Sequence, residues 1–307
     1  MPVPDFQADV TATDSYGDMT ITQSPLPGTE VTPGEHAVRL TVIDRVGNPA
    51  VCDTTLTVRE AQIFRVDPTA TGTEDGLSWP TAFHAVQAGV DAAAAAFWGE
   101  VWVAGGTNDT PLLYSEERTE AWGSPASVPG SLVMKDGVSL YGGFEGYRGG
   151  AGMRESARSQ RNRHQNVTVI DGRTARAGSA AYHVVVFGGG SAPTDGAILD
   201  GFTVIGGNAV GVADDYHTWR GGGVFNWQSK PIISNCIFTG NTAAVSGGAV
   251  ANETNGANNA GAQFINCLFF GNSAGRAADT ASNPIRGGGN VFNNMANASF
   301  TGCTITD

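Results

Sequence analysis

Charge is scarce in this chain, and basic charge scarcer still. Only 15% of the residues are Asp, Glu, Lys or Arg, and 29 acidic against 17 basic residues leave a net charge of −12. That balance argues against nucleic acid or an anionic membrane surface as a partner, since both repel an acidic protein. Long apolar runs are missing too. The longest, Ala92 to Trp98, is far short of the ~20 residues a membrane-spanning helix needs. The N-terminus, MPVPDFQADV, lacks the basic and apolar regions of a signal peptide. A continuation of the polypeptide beyond both ends is expected. The four cysteines, at 52, 236, 267 and 303, show no CxxC spacing, which argues against a cysteine metal site or redox pair.

What is abundant is glycine. Its 43 residues are about twice the ordinary share, without collagen period. With little Lys and Glu, this composition suits tight turns and short strands rather than helices, and 41% hydrophobic residues argue against disorder.

Over residues 1–60, VTATD, MTITQ, HAVRLTVID and TTLTVRE alternate with period two and are read as four strands. The turn clusters SYGD, PLPGTEVTPGE and DRVGNPA separate them. Short strands at this spacing indicate a sandwich. The ordered segments TATD, QSPLPGT and TVIDRVGNPAVC resemble most of a hyalin repeat, an immunoglobulin-like module of extracellular proteins. The resemblance implies a spacer or adhesion role. It also implies an incomplete sandwich, because the family opens with further strands, and a free thiol at Cys52, because Tyr16 stands where the family often has the partner cysteine.

Residues 61–99 carry the one clear helical pattern. Phe83, Val86, Val90 and Ala94 recur at three- and four-residue steps, Thr81 is placed to cap the helix N-terminus, and Gly99 ends it. Such a helix would cover the first strand of the stack that begins near residue 100. VDPTATGTEDGLSW, the helix, VWVAGGT and LVMKDGVSLYGGFEG resemble the opening of bacterial parallel β-helix proteins, with Trp79 and Trp102 as cap and core aromatics.

From residue 100 to 307 the expected fold is a right-handed parallel β-helix. Four segments align: ILDGFTVIGGN, IISNCIFTGN, QFINCLFFGN and SFTGCTITD. Phe202, Cys236, Cys267 and Cys303 share one position; Val204, Phe238, Phe269 and Ile305 share another; Leu199, Ile233, Phe264 and Phe300 share a third. Residues two apart on a strand face the same way, so these positions form inward ladders with a spacing of about 4.8 Å. Asn241 and Asn272, just past a strand, are expected at left-handed corners. A second motif recurs as GGGVFN, GGAVAN and GGGNVFNN. GGAV, FTGN and FFGN resemble the repeats of chlamydial polymorphic outer membrane proteins, which implies a surface-displayed, bacterial, extracellular passenger, in several members adhesive.

Parallel β-helices also include polysaccharide lyases and hydrolases. Lyases need clustered carboxylates for calcium and a basic residue, and hydrolases need two carboxylates about 5–10 Å apart. The densest candidate is the loop at 210–223, with Asp214, Asp215, Tyr216, His217, Trp219 and Arg220 as candidate ligand-binding residues. One reading has it overhang a groove, with rings for sugar faces and carboxylates for hydroxyls or calcium. The other has its aromatics pack on the wall. Neighbouring segments offer only Glu253 as a further carboxylate, which argues against a hydrolase, and no catalytic residue is assigned. No cofactor is expected apart from calcium at that loop. The basic run RESARSQRNRH (154–164) is read as a solvated face. The outward residues Thr203, Ile237, Leu268 and Thr304 are not the flat threonine ladder that ice binding needs. A non-catalytic stalk or adhesive passenger is the expected function, with a glycan or a host or cell-surface protein as partner; a carbohydrate-active enzyme is the main rival, and a purely structural fragment a third reading.

Overall fold

The computed structural model describes residues 2–13, 17–58, 60–96, 99–119, 129–152, 154–188, 193–211, 216–254, 256, 261–275 and 288–306, with the backbone alone at Tyr216. The described chain is mostly β, with one α-helix among those residues. Its contacts divide into two units, Met1–Ala61 and Gln62–Asp307.

The first unit holds three strands, β1 (Met19–Ser24), β2 (Gly34–Asp44) and β3 (Pro49–Val58), in one antiparallel sheet of that order. Val38 and Leu40 of β2 and Val58 of β3 are its buried apolar residues on the sheet. The segment VTATD, expected as a strand, forms none at 10–13, and Asp14 lies outside the described residues. The chain before β1 is tied down by an isolated antiparallel bridge of Pro2 to Glu30, by backbone bonds of Val3 to Gly28 and Thr29, and by one side chain. The Gln23 amide accepts from the Phe6 N–H and donates to the Pro4 and Pro25 carbonyls.

In the second unit the helix α1 runs Val86–Ala95 and buries Val86, Gly89, Val90 and Ala93. It starts later than the sequence pattern suggests. Thr81 is not its cap: that hydroxyl donates to Asp75 Oδ1 at 2.6 Å in the preceding loop. The free N–H of Val86 is met by Glu116, reaching in from 30 residues away at 3.2 Å. A carboxylate from a distant segment does the work a local hydroxyl was expected to do.

Strands on both sides of the helix fall into four sheets whose members all run parallel. The segment expected as linker supplies the first of these strands, Ile63–Val66, which pairs with Glu100–Ala104. The first contains Ile63–Val66, Glu100–Ala104, Ser139–Phe144, Ile198–Asp200, Ile232–Ser234, Gln263–Ile265 and Ser299–Thr301, paired in sequence order. The second contains Leu112–Tyr114, Thr168–Asp171, Phe202–Ile205, Ile237–Thr239, Leu268–Phe270 and Thr304–Ile305. The third contains Leu132–Val133, Val185–Phe187, Val224–Trp227, Val250–Glu253 and Val291–Asn294, and the fourth the short pairs beginning at Asn208, Thr242 and Ser273. From Ile198 onward the chain visits first, second, fourth and third sheets, then returns to the first beside its previous strand. Leu199 pairs with Ile233, Ile233 with Phe264, and Phe264 with Phe300. Val204, Phe238, Phe269 and Ile305 pair in the same way. Apart from Ile305, which on the last strand is 51% exposed, these ladders fill one apolar core in which Leu199, Ile233, Phe264, Val204, Phe238 and Phe269 have no accessible surface. Stacked rings report the strand spacing directly: Phe264 and Phe300 are 4.8 Å apart, Phe238 and Phe269 5.0 Å. All four cysteines are free thiols, and Cys236 and Cys267 are buried in this core.

The corners differ from the expectation. Between the first and second sheets the turning residues are Gly201, Asn235, Asn266 and Gly302, all with positive φ. At the other end of the second-sheet strand it is Gly240 and Gly271 that turn left-handed, not Asn241 and Asn272. Those two asparagines point inward. Asn272 donates to the Phe238 and Phe270 carbonyls and to Asn290 Oδ1, and accepts from both the backbone N–H and the amide of Asn241. Asn226, Asn252 and Asn293 form a second such ladder at the end of the GGGVFN-type motif. The glycines of that motif answer a close approach: a Cβ on Gly222 would collide with the Thr242 carbonyl, and one on Gly248 with that of Ser273.

Candidate functional site

The site begins with strands of the third sheet that are apolar on both faces. Val224, Val250 and Val291 point into the core, so Phe225, Ala251 and Phe292, their neighbours in sequence, point out. With Val133, Tyr182 and Val186 these outward side chains form a second apolar cluster. An apolar outer face needs a cover, and part of the loop at 210–223 supplies it. Tyr216–Trp219 forms one 3₁₀ turn, after which Arg220 joins a bridge to Ser246.

Of the candidate residues, Asp214 and Asp215 lie outside the described residues, and Tyr216 is described by its backbone only. His217 and Arg220 turn inward, with 5% and 2% of their surface accessible. They therefore do not overhang a groove. The His217 ring meets Phe225 and Trp227 edge-on, at 5.5 and 4.7 Å. Arg220 lays its guanidinium 5.1 Å from the centre of the Phe292 ring, and its stem covers apolar surface on the way. Trp219 is half-buried and rests on Gly211, where a Cβ would overlap its indole.

The charge of Arg220 is met by Glu253, on the neighbouring strand of the third sheet. Its Nη1 is 3.2 Å from both carboxylate oxygens, and His217 Nδ1 stands 3.9 Å from Oε2. Burial raises the Glu253 pKa, and the opposing charge and hydrogen bond of Arg220 hold it back. His183 completes the cluster from below. It has no accessible surface, its ring lies tilted 4.9 Å from that of Phe225, and its Nδ1 bonds the Gly221 carbonyl at 2.8 Å. Burial, chiefly, lowers its pKa to about 4, so it is neutral near pH 7. Chemically this is one carboxylate clamped by one guanidinium under a roof of rings. A pair of carboxylates flanking a sugar, as glycoside hydrolysis uses, is not what these four residues make. Among the described residues no three of His, Cys, Asp and Glu cluster closely enough to hold a metal ion.

Sequence reasoning names Glu253 as the carboxylate near the loop, though not as the partner of Arg220, and misses His183. A signal was there: VFNW, VVF and NVFN place apolar residues on both faces of a strand, the mark of a sheet covered on both sides. Comparison with protein-family models, with curated proteins and with solved structures returned no match.

Proposed function

We infer that this chain is a non-catalytic extracellular or cell-surface protein. In this reading residues 100–307, with Ile63–Val66 as the first strand, form a right-handed parallel β-helix capped by α1, residues 1–60 form a partial immunoglobulin-like module, and the whole serves as a stalk or adhesive passenger on a bacterial surface. The observation that carries it is the inward position of His217 and Arg220. The most chemically loaded loop of the chain spends these two side chains on bracing the wall of a repeat stack. The one-repeat return of each strand beside its predecessor supports the β-helix, and the right-handedness of nearly all parallel crossovers supports its hand. Among the described residues no helix is long and apolar enough to cross a membrane.

Two measurements on the full chain test this. Incubation with polygalacturonate and related polyuronides should release neither unsaturated nor new reducing ends; release that Arg220→Ala or Trp219→Ala abolishes would replace the stalk with an enzyme. In urea unfolding, Arg220→Ala should lose about 3–5 kcal/mol, because it strands the buried Glu253 carboxylate. The double replacement Arg220→Met with Glu253→Leu should recover most of that loss, as a bracing role requires and a chemical role does not.

A further inference from the structure

The basic run at 154–164 is not a solvated face along its whole length. Arg158 lies over the Tyr141 ring at 4.6 Å and pairs with Glu100 at 2.8 Å. Arg161 covers the same ring from 5.2 Å and pairs with Asp200 at 2.6 Å. Asn162 donates its N–H to the Gly143 carbonyl, fastening the segment to the first sheet. Arg163 is left exposed, with no hydrogen bond or ion pair to any described residue. It lines a cleft of about 530 Å³ that opens on the outer face of the second sheet, within the range of about 300–1,000 Å³ for small-ligand sites.

The lining of that cleft is unusual for this chain. Acidic residues outnumber basic ones 29 to 17 overall, yet among the described residues the cleft carries Arg163 and His164 and no carboxylate. Asp200 sits behind the wall, its charge already matched by Arg161. Three amides converge on the same space: Asn108 from the loop after the Val101 strand, and the corner residues Asn235 and Asn266. The Asn235 Nδ2 donates to Asp200, so its carbonyl oxygen is the atom left to accept. The floor is the outward column of the second sheet, where Ile237 and Leu268 give an aliphatic strip and Ile237 is 36% exposed.

We propose that this cleft binds an acidic saccharide, with Arg163 on its carboxylate, the three amides on its hydroxyls, and a C–H face of the sugar on Ile237 and Leu268. A carboxylate suits the isolated cation, since a guanidinium can meet its two oxygens with parallel charge-assisted hydrogen bonds. Hydroxyl groups, each donor and acceptor, match amides that also carry both functions. The proposal would give the stalk an adhesive contact, but it does not rest on that reading, and it places the contact away from the loop at 210–223.

Titration calorimetry on the full chain at neutral pH and low salt tests it with four probes: trigalacturonate, its methyl ester, maltotriose, and the small tricarboxylate citrate. Trigalacturonate should bind, the ester and maltotriose at least about ten-fold more weakly, and citrate likewise. Arg163→Ala should weaken trigalacturonate by about ten-fold or more, and Asn266→Gly by less. Arg45→Ala, which removes an exposed charge in the first unit, should leave binding unchanged. Equal binding of ester and acid, equal binding of citrate, or full affinity in Arg163→Ala would each overturn the proposal. Chemical-shift changes in the Arg163 side chain and the Ile237 and Leu268 methyls should accompany binding, and changes confined to other residues would also overturn it.

Discussion

His183 shows how much a single buried group can set the pH response of this chain. With no accessible surface it stays neutral down to about pH 4, whereas an exposed imidazole in the unfolded chain takes its proton near 6.5. Between those values the unfolded state binds more protons than the folded one. Its contribution to stability is therefore complete above about pH 6.5 and falls as the pH drops toward 4. The interval corresponds to roughly 3 kcal/mol. The groups around it matter to the sign. His217 opposes protonation by like charge, and the Gly221 carbonyl favours it. Glu253 acts in the opposite direction, because its raised pKa lets the folded state hold a proton that the unfolded state has released. That term declines as pH rises and offsets part of the histidine slope. Urea unfolding at pH 7, 5.5 and 4.5 should show His183→Asn losing less stability on acidification than the parent chain, by up to roughly 3 kcal/mol. Identical slopes in the two proteins would place the acid sensitivity elsewhere. None of this was legible from the sequence, where His183 stands alone in AAYHVVVF; its significance comes from Phe225 and Gly221, some 40 residues away.

At the scale of elements, the sequence conveyed pattern better than contact. The repeat at 198–305 was readable because the same chemical types return at the same positions, so inward ladders followed from period two alone. The corners were misassigned to Asn241 and Asn272 because glycine and asparagine sit side by side in FTGN and FFGN, and either can turn left-handed. The helix was found but its start was not, since Thr81 has a nearer acceptor in Asp75 and Glu116 supplies the cap from a distance. Gly89 makes the same point quantitatively. Helix propensity alone predicts that Gly89→Ala stabilises α1 by about 1 kcal/mol. A Cβ there, however, would come within 2.7 Å of Val66 Cγ2 and 2.8 Å of Val101 Cγ1, on the two strands the helix covers. Overpacking of this kind costs about 1–3 kcal/mol, so Gly89→Ala should lower the thermal midpoint. A raised midpoint would mean that the helix does not sit tightly on those strands.

In the whole molecule, stability is shared between neighbouring repeats, and the asparagine ladder exposes the sharing. Asn272 bonds carbonyls on two successive strands, Phe238 and Phe270, and accepts from Asn241 in the repeat before. Removing its amide leaves buried backbone groups without partners in both repeats, at about 1–3 kcal/mol for each one stranded. Asn272→Ala should thus cost more than a surface asparagine, roughly 3 kcal/mol or above, although it removes only a small polar group. The loss should also be spatially specific. In a stack where each repeat meets only its neighbours, damage spreads to adjacent repeats first. Hydrogen exchange should accelerate at 238–242 and 268–274 before it changes at Val101–Ala104 or Ser139–Phe144. The first unit should keep its protection, because its fold rests on a separate antiparallel sheet and a separate set of contacts. Uniform acceleration along the second unit would instead make the stack a single cooperative block, in which the ladder binds distant repeats as firmly as adjacent ones.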